Sequence, residues 1–135
     1  MVGAILGCSL ALCAAATGSA QQGEFPLNSE LILDVDPMPG SKRIPGLDVA
    51  GDGSITLQTW CRSIGGKLIV AGDTITVLLD APADPPPDDR ACPPERAKRD
   101  ADLLAALGAV TNWRRDGDFV LLVGPQSLKF RIPTN

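Results

Sequence analysis

Residues 110–132 read VTNWRRDGDFVLLVGPQSLKFRI and predict three consecutive antiparallel strands at the end of the chain. Asp116 and Gly117 form a dipeptide that is typical of a tight hairpin turn. Residues 119–123 are apolar, and after a glycine-proline turn residues 128–132 alternate apolar and polar side chains. That alternation is the period of a half-buried strand, so we predict a β-meander here.

Five further segments near the start of the chain have the composition of short strands. These segments are residues 30–36, 44–49, 55–60, 68–70 and 74–79. We predict turns between them at residues 51–53 and at the glycine pair 65–66, because glycine and aspartate favour turn conformations. Short strands separated by such turns favour an antiparallel meander.

A proline-rich loop and one helix separate the two groups of strands. Residues 81–94 contain six prolines, which exclude a strand or helix and predict an extended surface loop. We predict the helix at residues 94–108, with proline in its first turn and Gly108 at its end. Its apolar stripe is predicted to pack on the sheet and consists of Ala97, Ala101, Leu104 and Leu107, with Leu103 beside them.

The first 20 residues carry no charged side chain and are rich in small and apolar residues. This pattern predicts a signal peptide over residues 1–20 that is cleaved after Ala20, and therefore a periplasmic or secreted protein. A basic residue normally precedes the apolar run, so either the true start lies upstream of Met1 or the signal is weak. Cys8 follows a loose lipobox, and a lipoprotein of the cell envelope is the alternative.

Cysteine use fits an exported protein. Cleavage would leave Cys61 and Cys92, and two cysteines in an oxidising compartment favour one disulfide over two buried thiols. The bridge would close a loop of about 30 residues and stabilise the fold by about 3–4 kcal/mol in the chain-entropy model.

Composition argues against several functions. The chain has no histidine, which excludes histidine-based catalysis and most zinc and copper sites. Asp34 and Asp36 could in principle serve glycoside hydrolysis or bind calcium, but a solvated strand face explains them better. A net charge of −4 gives no electrostatic case for nucleic acid. We predict no catalytic, cofactor or metal site. Trp60 and Trp113 are the candidate partner contacts, although a role as core anchors explains both better.

The C-terminal part of the chain resembles a META domain, the family that includes the heat-shock protein HslJ of bacterial envelopes. The resemblance rests on Cys92 and Pro93 before the helix, the Ala/Leu-rich residues 102–107, Trp113 and the final hairpin. It covers about residues 27–132 and departs at Cys61, where the family has a Gly-Cys-Asn motif. The resemblance implies an α+β, mainly β domain over residues 25–133: an antiparallel, partly open barrel-like sheet with one helix packed against it.

The resemblance also carries a functional expectation. Family members are small exported or lipid-anchored proteins linked to stress tolerance, without an established catalytic activity. We therefore expect a non-catalytic cell-envelope protein that acts in stress tolerance, binding or scaffolding. The alternative is a secreted inhibitor or small-ligand carrier that uses residues 81–94 or a barrel mouth. The expected partner is an unidentified protein or a small apolar ligand, and a membrane only if the chain is lipid-anchored.

Overall fold

The computed structural model describes residues 23–81 and 92–133, together with Gly3. The predicted signal peptide, residues 1–20, lies outside the described residues apart from Gly3, and so do residues 82–91 of the proline-rich loop. The predictions of export and of an extended loop therefore remain predictions.

The described residues form eight strands and one helix, in an order that the sequence predicts. The elements are β1 Ser29–Leu33, β2 Gly46–Val49, β3 Ser54–Gln58, β4 Ser63–Ala71, β5 Thr74–Leu79, α1 Pro94–Gly108, β6 Asn112–Asp116, β7 Phe119–Val123 and β8 Leu128–Arg131. The predicted mainly β, antiparallel class with one helix is confirmed.

The eight strands close into a barrel in which each strand is antiparallel to the next. β8 returns to pair with β1, with Leu33 opposite Phe130 and Ile32 opposite Arg131. The family resemblance implied a partly open sheet. The structure has a closed barrel instead, and closure leaves no unpaired edge strand. One seam is short: β5 and β6 share a single residue pair, Thr74 opposite Asn112, and α1 connects these two strands in sequence.

The sequence analysis predicts a turn at the glycine pair 65–66. In the structure, both glycines lie inside β4. Gly66 pairs with Leu79, and a Cβ atom at Gly66 would collide with the backbone carbonyl of Leu78. Glycine inside a strand often marks such a close approach of two backbones. The pair therefore lets β4 and β5 approach closely while the strand continues.

The barrel interior is filled by the chain's own side chains. Apolar residues alternate with exposed ones along the strands, as in β3, where Ile55 and Leu57 are buried between exposed neighbours. The most deeply buried apolar side chains of the strands are Leu31, Leu47, Leu57, Ile75, Val120, Leu122 and Phe130. Each such burial stabilises the fold by about 1.5–3 kcal/mol, so these side chains form the core.

The buried face of α1 differs from the predicted stripe. The helix buries Asp100, Leu103, Ala106 and Leu107. Ala97 and Ala101 are exposed and Leu104 is partly buried, so the prediction is wrong for the two alanines. The helix turns Asp100 towards the barrel because its carboxylate accepts hydrogen bonds from the connection between β3 and β4, as described next.

Candidate binding groove and its anchored turn

The chain between β3 and β4 forms a tight turn over residues 59–62. The Thr59 N–H donates to the Arg62 carbonyl oxygen at 2.8 Å, and the Arg62 N–H donates to the Thr59 hydroxyl at 3.0 Å. The predicted strand 55–60 is therefore too long, since β3 ends at Gln58. Trp60 and Cys61 occupy the two central positions of this turn.

Asp100 of α1 holds this turn through hydrogen bonds to its carboxylate. Its carboxylate oxygens accept hydrogen bonds from the Thr59 hydroxyl at 2.6 Å, the Trp60 N–H at 2.9 Å and the Cys61 N–H at 3.1 Å. Asp100 is only 3 % exposed, and a buried carboxylate requires partners of this kind. The three bonds fix the helix and the turn relative to each other.

The sequence analysis does not single out Asp100, although a signal exists. Asp100, Leu103 and Leu107 follow the i, i+3, i+7 spacing of one helical face. An acidic residue on an otherwise apolar face indicates a buried carboxylate with fixed donors. The donors cannot be found from sequence, because the closest of them lies 39 residues away in the chain.

A disulfide adds a covalent link at the same place and confirms the predicted pairing. Cys61 and Cys92 are bonded across a sequence separation of 31, with their Cα atoms 5.3 Å apart. The two sulfur atoms and one carboxylate oxygen of Asp100 all lie within 4.8 Å of one another. The sulfurs are bonded to each other and offer no thiolate, so this group is an anchor of the turn rather than a metal site.

A groove of about 430 Å³ lies beside the turn, where β1 and β8 diverge. The last contact between these strands is the Asp34 N–H donating to the Lys129 carbonyl oxygen at 2.9 Å, after which β1 leaves the sheet. Helix α1 forms the opposite wall. The apolar lining consists of Leu33, Val35, Trp60, Leu103, Ala106 and Leu128. Gln126 and Ser127 contribute polar groups where the chain enters β8.

The two tryptophans have different roles. Trp113 is 3 % exposed, its indole N–H donates to the Gly72 carbonyl oxygen at 2.7 Å, and its ring lies edge-on to Phe25 at 5.1 Å. It is a core anchor. Trp60 is 6 % exposed and borders the groove, and its indole N–H has no acceptor within the described residues. Of the two candidate partner contacts, Trp60 therefore borders this groove and Trp113 belongs to the core.

Four charged side chains line the groove, and three of them have partners. Lys129 is 3.8 Å from Asp34 and its ammonium lies 4.0 Å from the centre of the Phe119 ring. Asp102 forms an ion pair of 3.9 Å with Lys98 on the same helix. No carboxylate of the described residues lies within ion-pair distance of Arg99, the fourth charge.

The acidic residues that the sequence analysis considered do not form a paired site. β1 ends at Leu33, so Asp34 and Asp36 follow the strand rather than share one of its faces. Both are exposed, and Asp34 pairs with Lys129.

No helix in residues 23–81 and 92–133 has the length and apolar composition needed to span a membrane.

Comparison with known proteins supports the fold but does not assign the chain to a family. No family model matches the chain, and no curated protein matches it significantly. A solved chain described as "NMR structure of the protein" is similar with a TM-score of 0.56 and 15 % sequence identity, over 78 % of this chain and 89 % of that chain. At this identity the similarity concerns the fold: a mainly β, antiparallel barrel with one helix.

Proposed function

We propose that this protein is a non-catalytic exported domain of the META type that supports stress tolerance in the cell envelope by binding a ligand. The observation that carries the proposal is the mostly apolar groove between α1 and the ends of β1 and β8, with Trp60 in its lining. Binding pockets are typically concave and mostly apolar, with a few polar groups that orient the ligand.

The anchoring of the groove supports a binding role. Trp60 lies in a turn that the disulfide Cys61–Cys92 and the Asp100 carboxylate both hold. Because this wall is already rigid, less conformational entropy is lost when a ligand binds. The disulfide also favours export, because a structural disulfide persists in an oxidising compartment.

The groove also bears on the alternative of a small-ligand carrier. A carrier of the lipocalin kind holds its ligand inside the barrel. Here Leu47, Leu57 and Phe130 are fully buried in one contiguous core, which favours a site outside the barrel over one inside it.

Fragment mapping by NMR tests the proposed site. The full chain is exported from a bacterial host with ¹⁵N labelling, and indole and phenol are titrated in separately. We expect amide shifts at residues 34–35 and 126–129, around the groove. Shifts confined to β2 and β3 would instead favour an internal carrier site, and the absence of any shift would contradict a binding function.

The mass of the exported protein tests the proposed export and signal-peptide cleavage. Cleavage after Ala20 gives a chain that begins at Gln21. A mass that includes residues 1–20 would contradict cleavage, and a diacylglycerol adduct at Cys8 would establish the lipoprotein alternative.

A further inference from the structure

We infer that Cys61, Cys92 and Asp100 form a site for one divalent cation that binds thiolates, such as Zn²⁺ or Cd²⁺, when the disulfide is reduced. This inference does not rest on the proposed binding function, because the site is the anchor of the 59–62 turn. Three observations carry it: the short distances between the ligand atoms, the fixed position of the carboxylate, and a ligand set of sulfur and oxygen only.

The first observation is the distance between the ligand atoms. The two sulfur atoms and one carboxylate oxygen of Asp100 all lie within 4.8 Å of one another. Zinc binds thiolate sulfur at about 2.3 Å and carboxylate oxygen at about 2.0–2.2 Å, so the ligand atoms of one tetrahedral ion are roughly 3.5–4 Å apart. Reduction frees the sulfurs to separate, and rotation of the two cysteine side chains brings the three atoms to this spacing.

The second observation is the fixed position of the carboxylate. Asp100 is 3 % exposed and accepts hydrogen bonds from the Thr59 hydroxyl, the Trp60 N–H and the Cys61 N–H. None of these bonds involves a sulfur atom, so they hold the turn and the helix together after the disulfide opens. A carboxylate offers about four acceptor positions, which is more than these three bonds use. Hydrogen bonds of this kind orient a metal ligand and raise the affinity of a site.

The third observation is the chemistry of the ligand set. A dithiol reductant transfers two electrons and two protons to the S–S bond, which leaves two thiols here and a disulfide in the reductant. The cation then displaces both thiol protons and binds two thiolates and one carboxylate, with water in the fourth position. Thiolates favour Zn²⁺ and Cd²⁺ over Mg²⁺ and Ca²⁺, which prefer oxygen ligands. The cation and an oxidant therefore compete for the same two sulfurs.

Cadmium titration tests the site, because thiolate-to-metal charge transfer absorbs in the ultraviolet. The exported full chain carries Cys8→Ser and Cys13→Ser, so that only one cysteine pair contributes thiols. It is reduced with dithiothreitol and freed of it without oxygen. We expect the absorption to saturate at one Cd²⁺ per chain in the reduced protein and to be absent from the oxidised protein. Cd²⁺ should also raise the melting temperature of the reduced protein alone, whether or not reduction has loosened the fold.

Two variants and one resonance test the carboxylate ligand. Asp100→Asn should weaken Cd²⁺ binding tenfold or more and keep the charge-transfer absorption of each bound ion, because both thiolates remain. Asp102→Asn is the matched control on the exposed side of α1 and should leave the affinity unchanged. In the reduced protein without these variants, the Trp60 amide resonance should shift on binding, because its acceptor becomes a metal ligand. This resonance decides the role of Asp100 even if Asp100→Asn does not fold after reduction.

Competition with an oxidant completes the test. One equivalent of Cd²⁺ should slow re-formation of the disulfide by oxidised glutathione about tenfold, and excess Mg²⁺ should not. Equal absorption in the oxidised protein, no absorption in the reduced protein, or one Cd²⁺ for every two chains would overturn the inference. So would an unmoved Trp60 amide, which would remove Asp100 from the ligand set. Each of these results leaves the proposed groove in place.

Discussion

Replacing Asp100 tests whether one buried carboxylate fixes the helix to the barrel. In Asp100→Asn the shape is kept, but one acceptor oxygen becomes an NH₂ group. If the remaining oxygen faces the Trp60 N–H, the Cys61 N–H loses its carboxylate acceptor. If the amide is flipped, the NH₂ group faces the Trp60 N–H instead. Either orientation places one donor against another; in the first, the Cys61 N–H keeps only its longer contact of 3.3 Å to the Thr59 hydroxyl oxygen.

The expected magnitude follows from these contacts. A buried donor without an acceptor destabilises a fold by about 1–3 kcal/mol, and hydrogen bonds to a charged group contribute more than neutral ones. We therefore expect Asp100→Asn to lower the free energy of unfolding by about 2 kcal/mol. Asp100→Ala removes both oxygens and leaves a small cavity, and about 4 kcal/mol is expected. Since a domain of this size has roughly 5–15 kcal/mol in total, the second variant should be marginally stable.

Urea denaturation followed by tryptophan fluorescence measures these differences. Asp102→Asn is the matched control: it lies two residues further along α1, is exposed, and forms only a 3.9 Å surface pair with Lys98. Its effect should stay within about 0.5 kcal/mol. A loss below about 0.5 kcal/mol in Asp100→Asn would refute the claim that this carboxylate anchors the turn.

Further predictions concern the disulfide, one strand glycine and one turn. Replacing both Cys61 and Cys92 by serine should lower the free energy of unfolding by about 3–4 kcal/mol; a reductant should destabilise the wild type alone, and an equal response of the variant would contradict the pairing. Gly66→Ala should destabilise by about 2–3 kcal/mol, because a carbonyl of the neighbouring strand occupies the space for its Cβ. Gly108→Ala, which meets no atom within 4 Å, should be neutral or stabilise by up to about 1 kcal/mol, and equal losses in both glycine variants would refute the steric argument. The pKa of Asp52 is lowered from its ordinary value, because its carboxylate accepts hydrogen bonds from the backbone N–H of Ser54, which has the larger effect, and from the Ser54 hydroxyl. Its contribution to stability is therefore present above that value and lost as the pH falls through the lowered pKa; an NMR titration with a midpoint at or above 3.8 would contradict this.

Much of the fold could be predicted because local chemistry determines it. The bounds of α1, β5 and β7 agree with the sequence analysis, since proline, glycine and apolar alternation mark their ends. The hairpin turn lies one residue later than predicted: Asp116 ends β6 and pairs with Phe119, so Gly117 and Asp118 form the turn, with Gly117 at a φ of 58° that favours glycine. Closure of the barrel was not predictable from these features, because it depends on pairing between β1 and β8, nearly 100 residues apart.

The candidate groove could be predicted only in part. The sequence indicated Cys61, Cys92 and Trp60 as residues of interest, and the structure brings them together: Trp60 and Cys61 lie in the turn, and Cys92 is bonded to Cys61. The spacing of Asp100 with Leu103 and Leu107 places it on the buried face of the helix, but its role as an anchor was not predictable, because its donors are distant in sequence. The glycine pair 65–66 was mistaken for a turn for a similar reason: only the neighbouring strand shows that glycine is needed there for a close approach.

The most direct test of this account is to locate a bound ligand by intermolecular NOEs. The measurement uses the exported full chain, with ¹³C-labelled methyl groups, in complex with indole. We predict NOEs from the indole ring protons to the methyl groups of Leu103 and Leu128, which line the groove. NOEs to Leu47 and Leu57, inside the barrel, would contradict the account and establish an internal site instead.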